Sequence, residues 1–193
     1  MNLRTASIVC FVLLSSDPAI ATAEKLALTF DDLPLNGALR AGTTEVDLVR
    51  ETLPILAARN AVSFGFVNAR KLESNPNGAA ALQLWVDGRQ RVGNHSYSHL
   101  DLNTHSVEDF TRDILRNEPV LMLLSRDRDW RWFRYPYLRE GDVLEKRDGV
   151  RAFLREQRYR IAQTTIDYED YLWNTPYARC ADRSDTKAIE RLR

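Results

Sequence analysis

The chain has 193 residues, of which 44% are hydrophobic and 28% are charged, and these fractions suit one globular domain. Its 27 basic and 27 acidic residues give a formal net charge of zero. A neutral domain has no electrostatic basis for binding nucleic acid or an anionic membrane, so we expect neither partner.

The first 23 residues have the pattern of a secretory signal peptide. Arg4 supplies the positive n-region, residues 6–14 form a short apolar core, and Ala21-Thr22-Ala23 is a small-x-small cleavage site. This core is too short to span a bilayer, and no later apolar stretch is long enough. We therefore expect removal of residues 1–23 and export to the periplasm or the extracellular space, rather than a buried N-terminal helix.

Strands alternating with helices are predicted for the rest of the chain. Each predicted strand is a short run rich in apolar residues, and the five runs are Lys25–Phe30, Ala61–Val67, Arg91–Gly93, Trp130–Arg134 and Tyr159–Ala162. A helix is predicted after each strand from its periodic pattern or its capping residue, and these helices begin at Thr44, Asn77-Gly78, Ser106, Gly141 and Ser184. This order predicts an α/β fold with a parallel sheet, either closed into a barrel or open.

Polar side chains follow four of the five predicted strands. They are Asp31 and Asp32 after the first strand, His95 and His99 after the third, Arg134 after the fourth, and Asp167 and Asp170 after the fifth. In barrels and in open parallel sheets, active sites gather beyond the carboxyl ends of the strands. The sequence therefore predicts one site that contains these side chains.

Asp32, His95 and His99 form a mixed oxygen and nitrogen donor set that suits Zn²⁺, Co²⁺ or Ni²⁺. The spacing of four residues predicts that both imidazoles lie on one face of a helical turn. Three protein ligands leave a coordination position open for water, as a catalytic metal site requires. We expect His105, the third histidine, to lie in a loop outside this site.

Asp31 is the candidate general base if its neighbour Asp32 binds the metal, because successive side chains that leave a strand diverge. Arg134 can orient Asp31, and Asp170 can hold Arg134 in turn. An ordinary surface charge at a strand end is an equally good interpretation of Arg134 at this stage.

Aromatic side chains also lie beside the polar clusters. They are Tyr137, Tyr171 and Trp173. Stacking on a sugar and simple packing within loops are both open interpretations of these three residues.

The ordered motifs resemble those of the polysaccharide deacetylases, the NodB-like enzymes of carbohydrate esterase family 4. The matching segments are Thr29–Asp32, His95–His99, Arg134–Tyr137 and Asp167–Tyr171. The resemblance implies a distorted (β/α) barrel of seven or eight strands. It also implies removal of N- or O-acetyl groups from chitin, peptidoglycan or xylan-type sugars.

The resemblance implies a role for each matched polar residue. Asp31 is implied to be the general base. One divalent metal, usually zinc, is implied to bind Asp32, His95 and His99. Arg134 is implied to steady the base.

Three further residues occupy positions of later motifs of the family, and Trp173 lies close to them. Asp170 corresponds to the aspartate paired with the arginine, and the backbone N–H of Tyr137 to a group that holds the oxyanion. Tyr171 stands where the family usually has a groove tryptophan, and Trp173 is close enough in sequence to replace it.

The chain departs from the family pattern at two other places. Leu33-Pro34 follows the paired aspartates, where glycine and proline are common, and no histidine after His105 can serve as the general acid of the family's fifth motif. With about five strands in place of seven or more, we expect residues 24–193 to be a deacetylase domain that is truncated at its C-terminus. Its metal site should be preserved and its turnover poor or absent.

Two other functions remain open. A non-catalytic carbohydrate-binding relative would keep the groove and its aromatic residues, but it would not need Asp31 as a base. A periplasmic metal-binding protein could use His95, His99 and His105, but that function leaves Arg134 and Asp170 unexplained.

Overall fold

The computed structural model describes residues 26–125 and 128–191. The predicted signal peptide, residues 1–23, lies outside these two stretches. Within them, no helix is both long enough and apolar enough to cross a membrane.

Five short parallel strands form a single sheet in which each strand pairs with the next one along the chain. The strands are β1 (Thr29–Leu33), β2 (Phe64–Val67), β3 (Arg91–Asn94), β4 (Trp132–Phe133) and β5 (Arg160–Ile161). Sequential parallel strands joined by helical segments are the arrangement of successive units in a (β/α) barrel. The predicted α/β alternation and its five strands are therefore confirmed.

β1 differs most from its predicted bounds. The paired aspartates lie inside this strand rather than after it. The pairing of β1 with β2 is irregular between Phe30 and Leu33, and Asp32 has a left-handed backbone with φ of 67°. Such an irregularity re-aims side chains, which a simple alternating pattern does not predict.

Six α-helices accompany the sheet within the described residues. They are α1 (Glu45–Ala58), α2 (Gly78–Asp87), α3 (Val107–Ser125), α4 (Leu144–Glu156), α5 (Tyr171–Asp182) and α6 (Thr186–Arg191). Short 3₁₀ helices at Ala69–Glu73 and Pro136–Leu138 follow β2 and β4. These 3₁₀ helices continue the chain from the carboxyl ends of the two strands.

Local chemistry explains where several helices begin. Thr44 caps α1, since its hydroxyl accepts the Asp47 N–H at 3.3 Å while the Asp47 carboxylate accepts the Thr44 N–H at 3.0 Å. Ser106 accepts the N–H of Asp109 at 3.1 Å and caps α3, as predicted. Helix α4 begins after the predicted Gly141 because that glycine has φ of 104°, which is incompatible with a right-handed helix.

The core lies between the sheet and the inner faces of α1 to α4. Trp85 and Phe133 are fully buried and Trp130 nearly so, whereas Trp132 is partly exposed. The other large side chains with almost no exposure are Phe66, Val67, Leu82, Leu102, Phe110, Ile114, Leu121, Val150 and Leu154. These apolar contacts fix the strand ends that carry the polar residues.

We expect Leu121→Ala to lower the free energy of unfolding by about 2–5 kcal/mol, because it leaves a cavity in this core. Leu123 is the matched control, since it lies on the same helix with its side chain 82% exposed, whereas Leu121 has none of its surface exposed. Leu123→Ala should change stability by at most about 0.5 kcal/mol. Urea denaturation followed by circular dichroism measures both values, and equal losses would contradict the described packing.

Candidate active site

Asp32, His95 and His99 come together at the carboxyl edge of the sheet. Their ligand atoms all lie within 4.8 Å of one another, and Asp32 Oδ1 is 3.6 Å from His99 Nε2. This is the one such group of three histidine, cysteine or acidic residues in 26–125 and 128–191. His105 lies elsewhere, in a loop where its Nδ1 is 2.9 Å from the Asp101 carbonyl oxygen, as expected.

The predicted helical turn between the two histidines is wrong. The segment after β3 is an irregular loop in which Ser96 and His99 have left-handed φ angles of 59° and 60°. The Asp113 carboxylate on α3 accepts hydrogen bonds from the Ser98 N–H at 2.9 Å and the Ser98 hydroxyl at 2.8 Å. Because α3 supplies these partners, the loop backbone does not need helical hydrogen bonds.

Buried asparagine side chains hydrogen-bond to the same loop and to the end of the strand before it. The Asn68 amide donates to the carbonyl oxygens of His95 at 2.6 Å and Ser96 at 3.0 Å. The Asn117 amide on α3 donates to Asn94 Oδ1 at 2.9 Å, and Asn94 is the last residue of β3. A buried polar network of this kind rigidifies the segment to which it is hydrogen-bonded. The backbone that carries the two histidines is therefore held in one conformation.

His95 presents its Nε2 to the site. Its Nδ1 lies 2.8 Å from the carbonyl oxygen of Arg134, and because a carbonyl only accepts, Nδ1 carries the proton. Burial lowers the pKa of His95 to about 4 and is also the main cause that lowers the pKa of His99 to about 4. Both imidazoles are therefore neutral at pH 7 and have a lone pair available for a metal.

Arg134 is a buried site residue, so the alternative of an ordinary surface charge is wrong. Its Nη1 donates to the two carboxylate oxygens of Asp31 at 3.1 and 3.3 Å. Its Nη2 lies 3.2 Å from the Thr29 hydroxyl, and its Nε donates to the Ala162 carbonyl at 2.8 Å. The guanidinium also lies over the Phe66 ring, 4.7 Å from its centroid. Arg134 thus joins β1, β4 and the end of β5 around Asp31.

The two adjacent aspartates have opposite pKa shifts. Burial raises the pKa of Asp31 to about 6, although Arg134 opposes this rise. Burial alone would raise the pKa of Asp32 as well, but the charge and the hydrogen bond of Lys71 act against burial, and that pKa lies below its usual value. Neighbouring carboxylates whose environments differ in this way are suited to different roles.

Asp170 does not pair with Arg134 in the structure, in contrast to the expectation. It is exposed and immediately precedes α5, and the described hydrogen bonds of the Arg134 side chain go to Asp31, Thr29 and Ala162. Asp167 is also exposed, and its carboxylate accepts the N–H of Glu169 in a local turn. The turn keeps this segment on the surface, and the Ala162 carbonyl takes the place expected for Asp170.

The three predicted aromatic residues lie at different places. Tyr137 is beside the cluster, with its ring in edge contact with His99 at a centroid distance of 4.4 Å and its backbone left-handed at φ of 58°. Tyr171 and Trp173 open α5 and are about half exposed. Asn174 of the same helix donates to a carbonyl of the loop after β1 at 2.7 Å, which places this turn of α5 beside that loop.

Lys71 is a site residue that the sequence analysis missed. Its Nζ donates to Asp32 Oδ1 at 2.8 Å and to the carbonyl oxygens of Asp32 and Leu35, both at 2.9 Å. It lies on the 3₁₀ helix Ala69–Glu73, directly after β2. The rule that residues after parallel strands share one edge would have found it, because β2 was the one strand whose following residues were not considered.

Fold and site together define an α/β protein with a candidate metal centre at the carboxyl edge of a parallel sheet. The family model described as polysaccharide deacetylase matches residues 20–151. The chain belongs to the polysaccharide deacetylase family, as its motifs predicted.

Two curated relatives match most of this chain. A chitin deacetylase from Arthroderma benhamiae is 25% identical over 151 residues, which are 78% of this chain and 36% of the relative. A peptidoglycan-N-acetylglucosamine deacetylase from Bacillus cereus is 25% identical over 147 residues, 76% of this chain and 46% of the relative. The chain therefore spans less than half the length of either relative.

A solved structure supports the fold. It is a mutant of a Bacillus anthracis pseudoenzyme of carbohydrate esterase family 4 with restored enzymatic activity. The match has a TM-score of 0.59 at 20% identity and covers 86% of this chain and 62% of that one. The expected fold, a (β/α) barrel of the polysaccharide deacetylase type represented here by five strands, is confirmed.

Proposed function

We propose that this chain is a metal-dependent hydrolase that removes acetyl groups from a carbohydrate, with residues 24–193 as its deacetylase domain. The observation that carries the proposal is the position of Asp31 beside the Asp32, His95 and His99 cluster, held by the buried Arg134. A protein that only stores metal or binds sugar has no need of this second, arginine-held carboxylate.

The cluster fits one divalent metal, and we propose Zn²⁺, with Co²⁺ and Ni²⁺ as alternatives. One carboxylate and two neutral imidazoles are donors that zinc prefers. The 3.6 Å between Asp32 Oδ1 and His99 Nε2 is close to the roughly 3.4 Å that separates two ligands of a tetrahedral zinc ion. When bound, the ion would lower the pKa of a water molecule and polarise the acetyl carbonyl.

Asp31 is proposed as the general base that accepts the proton of the attacking water. Its two contacts with Arg134 fix the direction of the carboxylate. Tyr137 is proposed to hold the oxyanion through its backbone N–H, from which no hydrogen bond is found within the described residues. The half-exposed Tyr171 and Trp173 are proposed to contact the sugar.

The names of the curated relatives make chitin and peptidoglycan the first acetylated substrates to test. Such polymers lie outside the cytoplasm, which agrees with the export proposed from residues 1–23. We expect slow turnover from these 193 residues, because two of their three histidines are proposed ligands and the third, His105, is bonded within its own loop rather than placed as a general acid.

The test is acetate release from chitin oligomers and peptidoglycan in the presence of Zn²⁺. We expect slow release that Asp31→Asn lowers by about 100-fold or more, because an amide cannot accept the proton. Asp148→Asn, at an exposed carboxylate on α4, is the control and should leave the rate unchanged. Equal rates for Asp31→Asn and the original chain would reject Asp31 as the base. Sugar binding without any acetate release would favour the non-catalytic carbohydrate-binding relative.

A further inference from the structure

Lys71 is the charged residue at the site that the proposed reaction leaves without a role. Its ammonium has three donors, and three oxygens within 2.9 Å accept them: Asp32 Oδ1, the Asp32 carbonyl and the Leu35 carbonyl. Its side chain is 30% exposed, which is low for a lysine. All donors of this partly buried group are therefore used within the protein.

Two of these three bonds hold Asp32, one at its backbone carbonyl and one at its side chain, and the third holds the Leu35 carbonyl. Asp32 has the left-handed φ of 67°, which is uncommon for a residue other than glycine and persists only where surrounding contacts support it. The oxygen that Lys71 contacts, Oδ1, is also the one that lies 3.6 Å from His99 Nε2. Lys71 thus bonds the same oxygen that faces the candidate metal centre.

We propose that Lys71 is a positioning residue that holds the Asp32 carboxylate in the direction required for metal binding, and this inference rests on the proposed metal site. Outer partners of metal ligands orient them and set metal affinity. Repulsion between the ammonium and the cation acts in the opposite direction. Solvent at the partly exposed ammonium screens that repulsion, whereas two of the three hydrogen bonds act directly on Asp32. The two effects differ in sign, so a measurement of affinity separates them.

The experiment compares Zn²⁺ dissociation constants, measured by competition with a chromophoric chelator, for the original chain and its variants. We expect Lys71→Met to weaken zinc binding about tenfold and Lys71→Arg, which keeps donors and charge, to recover most of that loss. Lys146→Met is the matched control. Lys146 also bonds one carboxylate and two carbonyls, those of Asp142, Leu102 and Asn103, and none of these residues is a proposed ligand.

Co²⁺ bound in place of zinc gives a second measurement, because its visible absorption reports the arrangement of the ligands. We expect this spectrum to change in Lys71→Met and to stay the same in Lys146→Met. If Lys71→Met does not fold, Lys71→Gln gives the same comparison in a milder variant, because the glutamine amide keeps a hydrogen-bond donor. Zinc binding by the methionine or glutamine variant that equals or exceeds that of the original chain would overturn the inference. If the original chain itself bound no zinc, the proposed metal site would be wrong. If the original chain bound zinc and the Lys71 variants bound it equally well, only the role of Lys71 would be wrong, so the two outcomes are distinguishable.

Discussion

Replacing His99 with alanine is expected to weaken zinc binding at least about 100-fold, because the site then keeps two of its three proposed ligands. His99 is the best first target, since its side chain is partly exposed and its loss should disturb packing less than loss of the fully buried His95. Asp32→Ala and His95→Ala should have the same effect on affinity. Equilibrium dialysis followed by elemental analysis measures the bound zinc.

His105→Ala is the matched control for the ligand variants. His105 is six residues from His99 but bonds within its own loop, so its removal should leave zinc binding unchanged. Circular dichroism of each metal-free variant shows whether the fold is retained. If the three ligand variants kept as much zinc as the original chain, the assignment of the metal site would be rejected.

A second large effect is expected on stability. Arg134→Met should lower the free energy of unfolding by about 3 kcal/mol, because it removes the partner of the partly buried Asp31 carboxylate and leaves that charge unpaired. It also removes the bond to the Ala162 carbonyl and so weakens the link to the end of β5. Urea denaturation at pH 7 measures this loss.

The double variant Arg134→Met/Asp31→Asn tests the cause of that loss. If an unpaired charge is responsible, the neutral amide should restore at least about 1 kcal/mol relative to Arg134→Met alone. Arg112→Met is the control, because Arg112 pairs with two carboxylates at the exposed start of α3 and should contribute at most about 1 kcal/mol. Equal losses for Arg112→Met and Arg134→Met would contradict the described role of Arg134.

Several parts of the fold and site were predictable because they depend on residues close in sequence. Thr44 and Ser106 cap helices because their hydroxyls accept backbone N–H groups three residues ahead, and both caps were predicted. The proximity of the candidate ligands Asp32, His95 and His99 was predicted from their places at the ends of two strands, since parallel strands bring such ends together. Order along the chain therefore sufficed to assemble the candidate metal site.

Other parts depended on contacts that no local pattern contains. The spacing of His95 and His99 suggested a helical turn, but a carboxylate on α3 stabilises an irregular loop instead. The Asp170 motif suggested a partner for Arg134, but a local turn keeps that segment exposed and a backbone carbonyl takes its place. Lys71 was missed because the residues that follow β2 were not considered, and no local pattern indicates its bond to Asp32, 39 residues earlier.

The sequence by itself determined the strand–helix alternation, the family and the types of residue at the site. The tertiary structure decided which atoms meet. It placed the Asp32 backbone in the left-handed region, paired Asp31 with Arg134 across 103 residues and brought Lys71 into hydrogen-bond contact with Asp32. The physical reason is one of range: capping and periodicity act within a few residues, whereas hydrogen bonds between strand ends form only after the core has packed.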